Sequence, residues 1–353
     1  MCEYKVFVGA FADEETKEGI YIYSLDEKTG KLSRITSCVD EKNPTFMAPF
    51  PDNDMLYVNG DSHDYSGARA YRMSKDRTKL FPFDFFPLPG FEACHISASK
   101  NGRFIVISNF SSSNVISCSV KDNGDIDKIV SVRHHEGGGP VEWYQEKARC
   151  HEAIFSADGS EVAVSDLGAD RVVLYSFNQE TGELCDFATG ISQAGDGPRH
   201  AMYHPNNSNL LYVVGEMGNS ITVFNIDRQM KSVTPLQRVS TLPDNTDGVG
   251  CTAAEIQIDE ACKYLFVSNR GHDSIVRYTI DSVTGLLSCK CFFPTDGEHC
   301  RMFCFDPEER FCFIANQFSN TLIVKEYDKE KGEIGSICDV VNIFKPTYVN
   351  VLK

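Results

Sequence analysis

The sequence contains no Cys-x-x-Cys pair, a single tryptophan, no apolar run of membrane-spanning length and a shortage of basic residues. Its 14 cysteines are scattered from Cys2 to Cys338, and the tightest pairs are Cys289/Cys291 and Cys300/Cys304. Zinc modules need closer, reiterated spacing, and disulfide scaffolds are short secreted chains, so neither is expected. The 34 basic residues against 50 acidic ones give a formal net charge of −16. A field of that sign repels phosphate backbones and anionic lipid, which argues against nucleic acid and membrane as partners. An anionic small molecule would have to be caught by a local cluster of arginine or lysine. Met1-Cys2-Glu3-Tyr4-Lys5 shows no basic region leading into an apolar stretch, the pattern of a secretory signal. The expectation is a reduced, soluble, cytoplasmic protein.

What the 353 residues do contain is period-two alternation, as in Tyr4-Lys5-Val6-Phe7-Val8, Arg103-Phe104-Ile105-Val106-Ile107 and Tyr264-Leu265-Phe266-Val267. Gly, Asn and Asp punctuate it every eight to twelve residues or so, and long helical periodicity is missing. These are many short strands, hence an all-β protein. The strands recur in a larger unit: strand, polar turn, apolar strand, polar turn, a third strand with an aromatic end, then a hairpin. Six copies open near Pro44-Thr45, Ala93-Cys94-His95, Cys150-His151-Glu152, Pro198-Arg199-His200, Ala253-Ala254-Glu255 and Cys300-Arg301-Met302. Their first turns include Pro51-Asp52-Asn53 and Ala157-Asp158-Gly159, and hairpins close at Lys28-Thr29-Gly30, Asn123-Gly124, Glu180-Thr181-Gly182, Val283-Thr284-Gly285 and Lys331-Gly332.

A spacing of about 46 to 57 residues is that of four-stranded antiparallel propeller blades. The N-terminus enters in mid-unit, with Tyr4 to Gly9 as a second strand and Gly19 to Leu25 as a third. Thr347 to Leu352 has the pattern of a first strand. Pairing the two ends completes a seventh blade and leaves no open edge. The expected architecture is one seven-bladed β-propeller domain over residues 1–353, a monomer or weak homo-oligomer. The tryptophan-aspartate repeat signature is absent, and Trp143 falls in a connection.

Scaffold positions should look alike in every blade, whereas ligand positions should differ. The start of the first strand and the end of the second meet at one face of the ring. The first-strand column reads Cys94, His151, Arg199, Ala254, Arg301, and the second-strand column Phe110, Leu167, Glu216, Arg270, Gln317. His151, Arg199, Glu216, Arg270 and Arg301 therefore gather at one mouth. Three arginines around a glutamate and a histidine suit an anionic substrate undergoing acid–base chemistry. Single charged residues also line wet channels for solvation alone, but five on neighbouring blades favour a site. The adjacent column, His95, Glu152, His200 and Glu255, has the residue types of a divalent metal site, and inter-blade hydrogen bonding accounts for it equally well. Cys150 beside His151 is read as packing, since neighbours on a strand point to opposite faces. Asp13 to Glu18 and Asp328 to Glu333 are solvated turns. Gly137-Gly138-Gly139-Pro140 is followed by no helix pattern, so it is part of a long connection, His134 to Arg149, placed to cover the mouth.

Several strings then become specific. Gly197-Pro198-Arg199-His200 with Tyr203-His204-Pro205-Asn206, Ala253-Ala254-Glu255-Ile256, and Ser268-Asn269-Arg270-Gly271-His272-Asp273-Ser274-Ile275 resemble the lactonase family of seven-bladed propellers. That family includes propeller-type 6-phosphogluconolactonases and fungal 3-carboxymuconate cyclases. The resemblance runs over essentially the whole chain and is strongest from Cys150 to Val324. It implies catalytic positions at His151, Arg199, Glu216 and Arg270, with Arg301, His200, Glu255 and Gln317 as substrate contacts, and neither metal nor cofactor. The chain departs from the family pattern at Arg149-Cys150-His151, where His-x-His is frequent, and at Gln257, where histidine is. It departs again at Cys300, where proline often precedes the arginine. The implied reaction is hydrolysis of a small anionic sugar δ-lactone, most simply 6-phosphogluconolactone. A cycloisomerase acting on an unsaturated dicarboxylate would use the same residues. A non-catalytic propeller binding a partner or small anion is the third reading.

Overall fold

The computed structural model describes residues 4–12, 15, 17–39, 43–50, 54–62 and 65–353. It is a seven-bladed β-propeller. The closing sheet has the strand order Pro346–Leu352, Lys5–Ala10, Ile20–Leu25, Leu32–Cys38. The C-terminal strand pairs antiparallel with the N-terminal one, Lys5 opposite Leu352 and Val8 opposite Val349, so the ends of the chain lock the ring as the pattern predicts. Five further sheets repeat the four-strand meander from Ala93, Cys150, Pro198, Thr252 and Cys300. Their third strands are Asn114–Val120, Arg171–Phe177, Ser220–Asp227, Ser274–Ile280 and Thr321–Asp328. The second blade is the irregular one, with its outer strand broken into Leu80–Pro82 and Phe86–Leu88, both paired with Tyr65–Met73. The turn expected at Pro51-Asp52-Asn53 and part of the 13–18 run lie outside the described residues.

Alternation hides how the core is built. Second strands are buried on both faces, as in Phe104–Asn109, because each sheet is sandwiched between two neighbours. Ile105 and Ile107 pack with Met55 and Tyr57 of the preceding blade, while Phe104 and Val106 pack with Val162 and Val164 of the following one. Outer strands such as Leu184–Ile191 are largely exposed. Burying both faces of an apolar strand is what parallel-sheet interiors do, and here stacking of blades achieves it.

Two recurrent devices hold blade to blade. The hairpin glycines pack on the neighbour: Gly182, at φ +80°, sits where a Cβ would run into the Phe104 ring of the preceding blade, so that turn needs glycine on two counts. The fifth blade has no glycine there and uses Arg228, whose Nε and Nη2 each lie 2.8 Å from the Glu161 carboxylate of the blade before. At the ends of second strands, asparagines tie some of the blades to their incoming connections. Asn269 Nδ2 donates to Thr241 O at 2.8 Å and Asn316 Nδ2 to Thr295 O at 3.1 Å. The residue after each of these asparagines belongs to the variable column.

Candidate active site

Every first-strand residue of the variable column sits in a β-bulge. Cys150 pairs with Asp166 and Glu152 with Ser165, which leaves His151 as the extra residue. Arg301 is extra between Cys300 and Met302, and Cys94 between Ala93 and His95. Arg199-His200 and Ala254-Glu255 are two-residue irregularities in the same register. A bulge bends the strand and re-aims a side chain. Here five bulges turn the tops of the first strands toward the ring axis. On the opposing strands, Glu216 directly follows the strand Asn207–Gly215 and Arg270 ends Tyr264–Arg270. The Glu216 backbone is fixed at both ends: its N–H donates to Gly197 O at 2.8 Å, and its carbonyl accepts from Ala253 N at 3.0 Å.

These elements enclose a mouth cavity of about 230 Å³ whose wall includes His151, Arg199, Glu216, Arg270 and Arg301. The centre of the arrangement is one carboxylate between two guanidinium groups. Arg199 Nε lies 2.9 Å from Glu216 Oε2, and Arg270 Nη2 lies 3.0 Å from Glu216 Oε1. Each arginine is also braced on backbone of the sixth blade, Arg199 Nη1 on Ala254 O at 3.0 Å and Arg270 Nη2 on Ala253 O at 3.1 Å. Arg301, partly exposed, has Nη1 3.5 Å from Gln317 Oε1. His151 packs edge-on to Phe110, with ring centroids 5.8 Å apart. Its Nδ1 is buried with no hydrogen-bond partner, so the ring meets the cavity through Nε2.

Charge sets the protonation states. Burial pushes the Glu216 carboxyl up, but Arg270 and Arg199 outweigh it and hold the group below its ordinary value of 4.5. Burial, then Arg199 and the other cations, keep His151 well below the ordinary 6.5. Arg199 is pushed down to about 9 by burial and by Arg270, with Glu216 opposing, and stays charged at neutral pH. The mouth thus offers an ionised carboxylate, a neutral imidazole and three cations in one small cavity. This is a local positive patch in a protein of net charge −16.

A family model described as a lactonase, seven-bladed β-propeller, matches residues 5–351. The chain belongs to that family. Among its relatives, the 6-phosphogluconolactonase of Bacillus subtilis is 30% identical over 353 residues, covering 100% of this chain and 99% of the relative. The 6-phosphogluconolactonase of Formosa agariphila is 27% identical, covering 93% of this chain and 94% of the relative. Among solved structures, the periplasmic gluconolactonase of Pseudomonas aeruginosa superposes with a TM-score of 0.91 at 24% identity, covering 99% of each chain. That likeness speaks for the fold.

In this lactonase-family propeller, the variable column and the adjacent one form two layers. His200 and Glu255, expected as substrate contacts, do not line the mouth. Their bulge positions turn them down the channel, where His200 Nδ1 lies 2.8 Å from Glu255 Oε2. Glu152 accepts from Ala201 N at 2.5 Å and lies 3.6 Å from His95 Nε2. Glu152, Glu255 and His95 line a second cavity of about 390 Å³. The two carboxyls are both raised, Glu255 to about 8 and Glu152 also upward, by burial first and, for Glu152, by the nearby Glu255. This is the adjacent column with metal-ligand residue types, and its members bond to one another. Among the described residues no group of three or more His, Cys, Asp or Glu is placed to hold a metal ion. Gln317 also stays out of the mouth wall and braces Arg301 instead.

The connection from His134 to Arg149 does not reach the cavity wall. It is pinned beside the mouth: His135 bridges Asp166 and Tyr175 at 2.9 Å each, and Gln145 Nε2 donates to Leu167 O at 2.8 Å and Asp170 Oδ1 at 2.7 Å. Burial pushes the Cys150 thiol well up, the opposite of an activated nucleophile. One wall residue is missed by the two-column comparison. Glu92 lines the mouth with Cys94 and Phe110. It lies two residues before Cys94, in a column reading Glu92, Arg149, Gly197, Thr252, His299. That column varies as much as the others and carries the same signal.

Proposed function

We propose that the mouth hydrolyses the ring ester of a sugar δ-lactone, 6-phospho-D-glucono-1,5-lactone first among them, as the names of the relatives suggest. The observation that carries the reading is the Glu216 carboxylate held ionised between Arg199 and Arg270 beside a neutral His151. Glu216 removes a proton from water as the oxygen attacks the lactone carbonyl. Arg270 and His151 Nε2–H stabilise the oxyanion that forms. His151 takes this tautomer because a buried bare lone pair on Nδ1 costs less than a buried N–H without an acceptor. The C1–O5 bond then breaks, and Glu216 returns the proton to the ring oxygen. The new carboxylic acid ionises and gives a net proton to solvent. Arg301, the most open of the three cations, takes the phosphate. The positive charge of the wall does the work asked of it, and no step needs a metal.

The test is hydrolysis of freshly prepared 6-phosphogluconolactone with chelator present, a parallel gluconolactone control and spontaneous opening subtracted. Turnover by the wild type that is lost in Glu216→Gln and Arg270→Ala supports the reading. Equal rates for wild type, variants and buffer remove it.

A further inference from the structure

The cationic side of the mouth faces an acidic one. In a ring of seven, the blade that opens with Ala93–Ala98 stands three blades from the one opening with Thr252–Ile258 and three, counted the other way, from the one opening with Cys300–Phe305. Its share of the cavity wall therefore lies across the channel from Arg270 and Arg301. That share is Glu92, Cys94 and Phe110. The position of Glu92 is fixed rather than incidental. Its backbone is left-handed, at φ +56°, a region uncommon for residues other than glycine. Its carbonyl accepts from Phe110 N at 2.8 Å, and its carboxylate accepts from the Ser111 hydroxyl. Phe110 is in turn clamped between the Arg149 guanidinium, 4.8 Å from the ring centre, and His151.

A cavity with cations at one end and a carboxylate at the other reads the two ends of its ligand differently. We infer that Glu92 is a specificity residue: it accepts hydrogen bonds from ring hydroxyls of a lactone whose single anionic group lies on Arg301, and it rejects ligands carrying a carboxylate at that end. The inference rests on the lactonase reading for the identity of the ligand. It follows from the wall alone that a flat dicarboxylate without hydroxyls meets like charge at one end, which sites use to exclude wrong partners. A polyhydroxylated ring meets an acceptor instead, and losing a hydrogen bond to a charged group weakens recognition measurably.

The experiment uses two probes on wild type, Glu92→Gln, Glu92→Leu and Glu92→Asn. Asparagine tolerates the left-handed backbone, and all variants are first checked to melt like wild type. With 6-phosphogluconolactone, Glu92→Leu is expected to lose about 10- to 100-fold in kcat/KM, with Glu92→Gln less affected because it keeps an acceptor oxygen. With cis,cis-muconate, titrated calorimetrically, Glu92→Gln is expected to bind about tenfold tighter or more than wild type. Opposite signs on the two probes are the expected result, since general damage to the site weakens both. Lactone kinetics within twofold of wild type in Glu92→Leu, or muconate affinity unchanged or weakened in Glu92→Gln, overturns the inference. Should the wild type turn over no lactone, the functional reading falls, and the muconate comparison still decides the charge selectivity of Glu92.

Discussion

Arg199 Nε, on the first strand of the fifth blade, and Glu216 Oε2, just past the end of its second strand, lie 2.9 Å apart. The pair forms because a bulge at Arg199-His200 shifts the register between Pro198/Gly215 and Ala201/Val213. With regular pairing, neighbouring positions alternate between faces; the bulge lets Arg199 reach over the end of its partner strand. Both groups are nearly out of water, so their attraction is weakly screened and their desolvation is costly. Arg270 joins from the next blade and leaves two cations sharing one carboxylate. The positive excess is what an anionic transition state can use.

Glu216→Gln therefore acts on stability as well as rate. Removing the carboxylate leaves Arg199 and Arg270 facing each other in a buried site, and breaking a buried pair in this way costs about 3–5 kcal/mol. Inorganic phosphate or sulfate should restore much of that by binding in the mouth cavity and supplying the two arginines with the lost negative charge. The check is a thermal melt with and without phosphate. A larger upward shift in the variant than in wild type is expected, and equal shifts would mean that the two arginines are not held by Glu216.

In the proposed mechanism Arg270 donates to the developing oxyanion, so Arg270→Ala should lower kcat by roughly 100- to 1000-fold. Arg270→Lys keeps a charge but not the planar fork that serves Glu216 and Ala253 O together, so it should recover only part of the loss. Steady-state kinetics separate the possibilities. A rise in KM at unchanged kcat would make Arg270 a ground-state binding residue.

The ring, its closure by the strand Pro346–Leu352 and the gathering of His151, Arg199, Glu216, Arg270 and Arg301 at one mouth were all legible, because blade repeats expose their own variation. Bulges were not. A one-residue register shift leaves no mark in an apolar/polar pattern, and it is the bulges that decide which of two adjacent residues faces the mouth. His200 and Glu255, which the family resemblance implied as substrate contacts, point down the channel instead and bond to each other between blades. Glu92 escaped because it precedes the strand, where the alternation that frames the columns has not begun.

His151 is neutral throughout the physiological range, since burial and the surrounding arginines hold it well below 6.5. Glu216 must be ionised to act, and it is held below 4.5. Lactonase activity should then persist into mild acid and fail only below the ordinary glutamate range. The phosphate of 6-phosphogluconolactone, the proposed substrate, ionises near about pH 6, so the informative quantity is the ratio of kcat/KM between wild type and His151→Asn. That ratio should be flat from about pH 5 to 8. An inflection near about 6.5 would show His151 titrating.

Glu255 and Glu152 make stability depend on pH in the sense opposite to ordinary surface carboxylates. The folded-state value of Glu255 is raised from 4.5 to about 8, and Glu152 moves the same way. Between those limits the folded chain keeps a proton that the unfolded chain has lost, so stability is greatest in acid and falls as pH rises through the window. The buried histidines His95, His151 and His200 oppose this at lower pH. Their values are depressed, so the unfolded chain binds the extra protons and stability climbs until about pH 7. Between pH 7 and 8 the histidine contribution is complete, and the buried thiols, which burial also pushes up, add a smaller fall of the same sign as about a quarter of the unfolded chain's thiols, near about 8.5, ionise by pH 8. In that interval the carboxyl pair should dominate. Denaturant midpoints are expected to fall from pH 7 to 8 in the wild type and to fall less in Glu255→Gln, where Glu152, 3.8 Å from His200 Nδ1, is the one carboxyl of the pair left to titrate. A wild-type midpoint that holds constant or rises across the interval would mean that the pair is ionised in the folded channel and that its charge is met by the histidines instead.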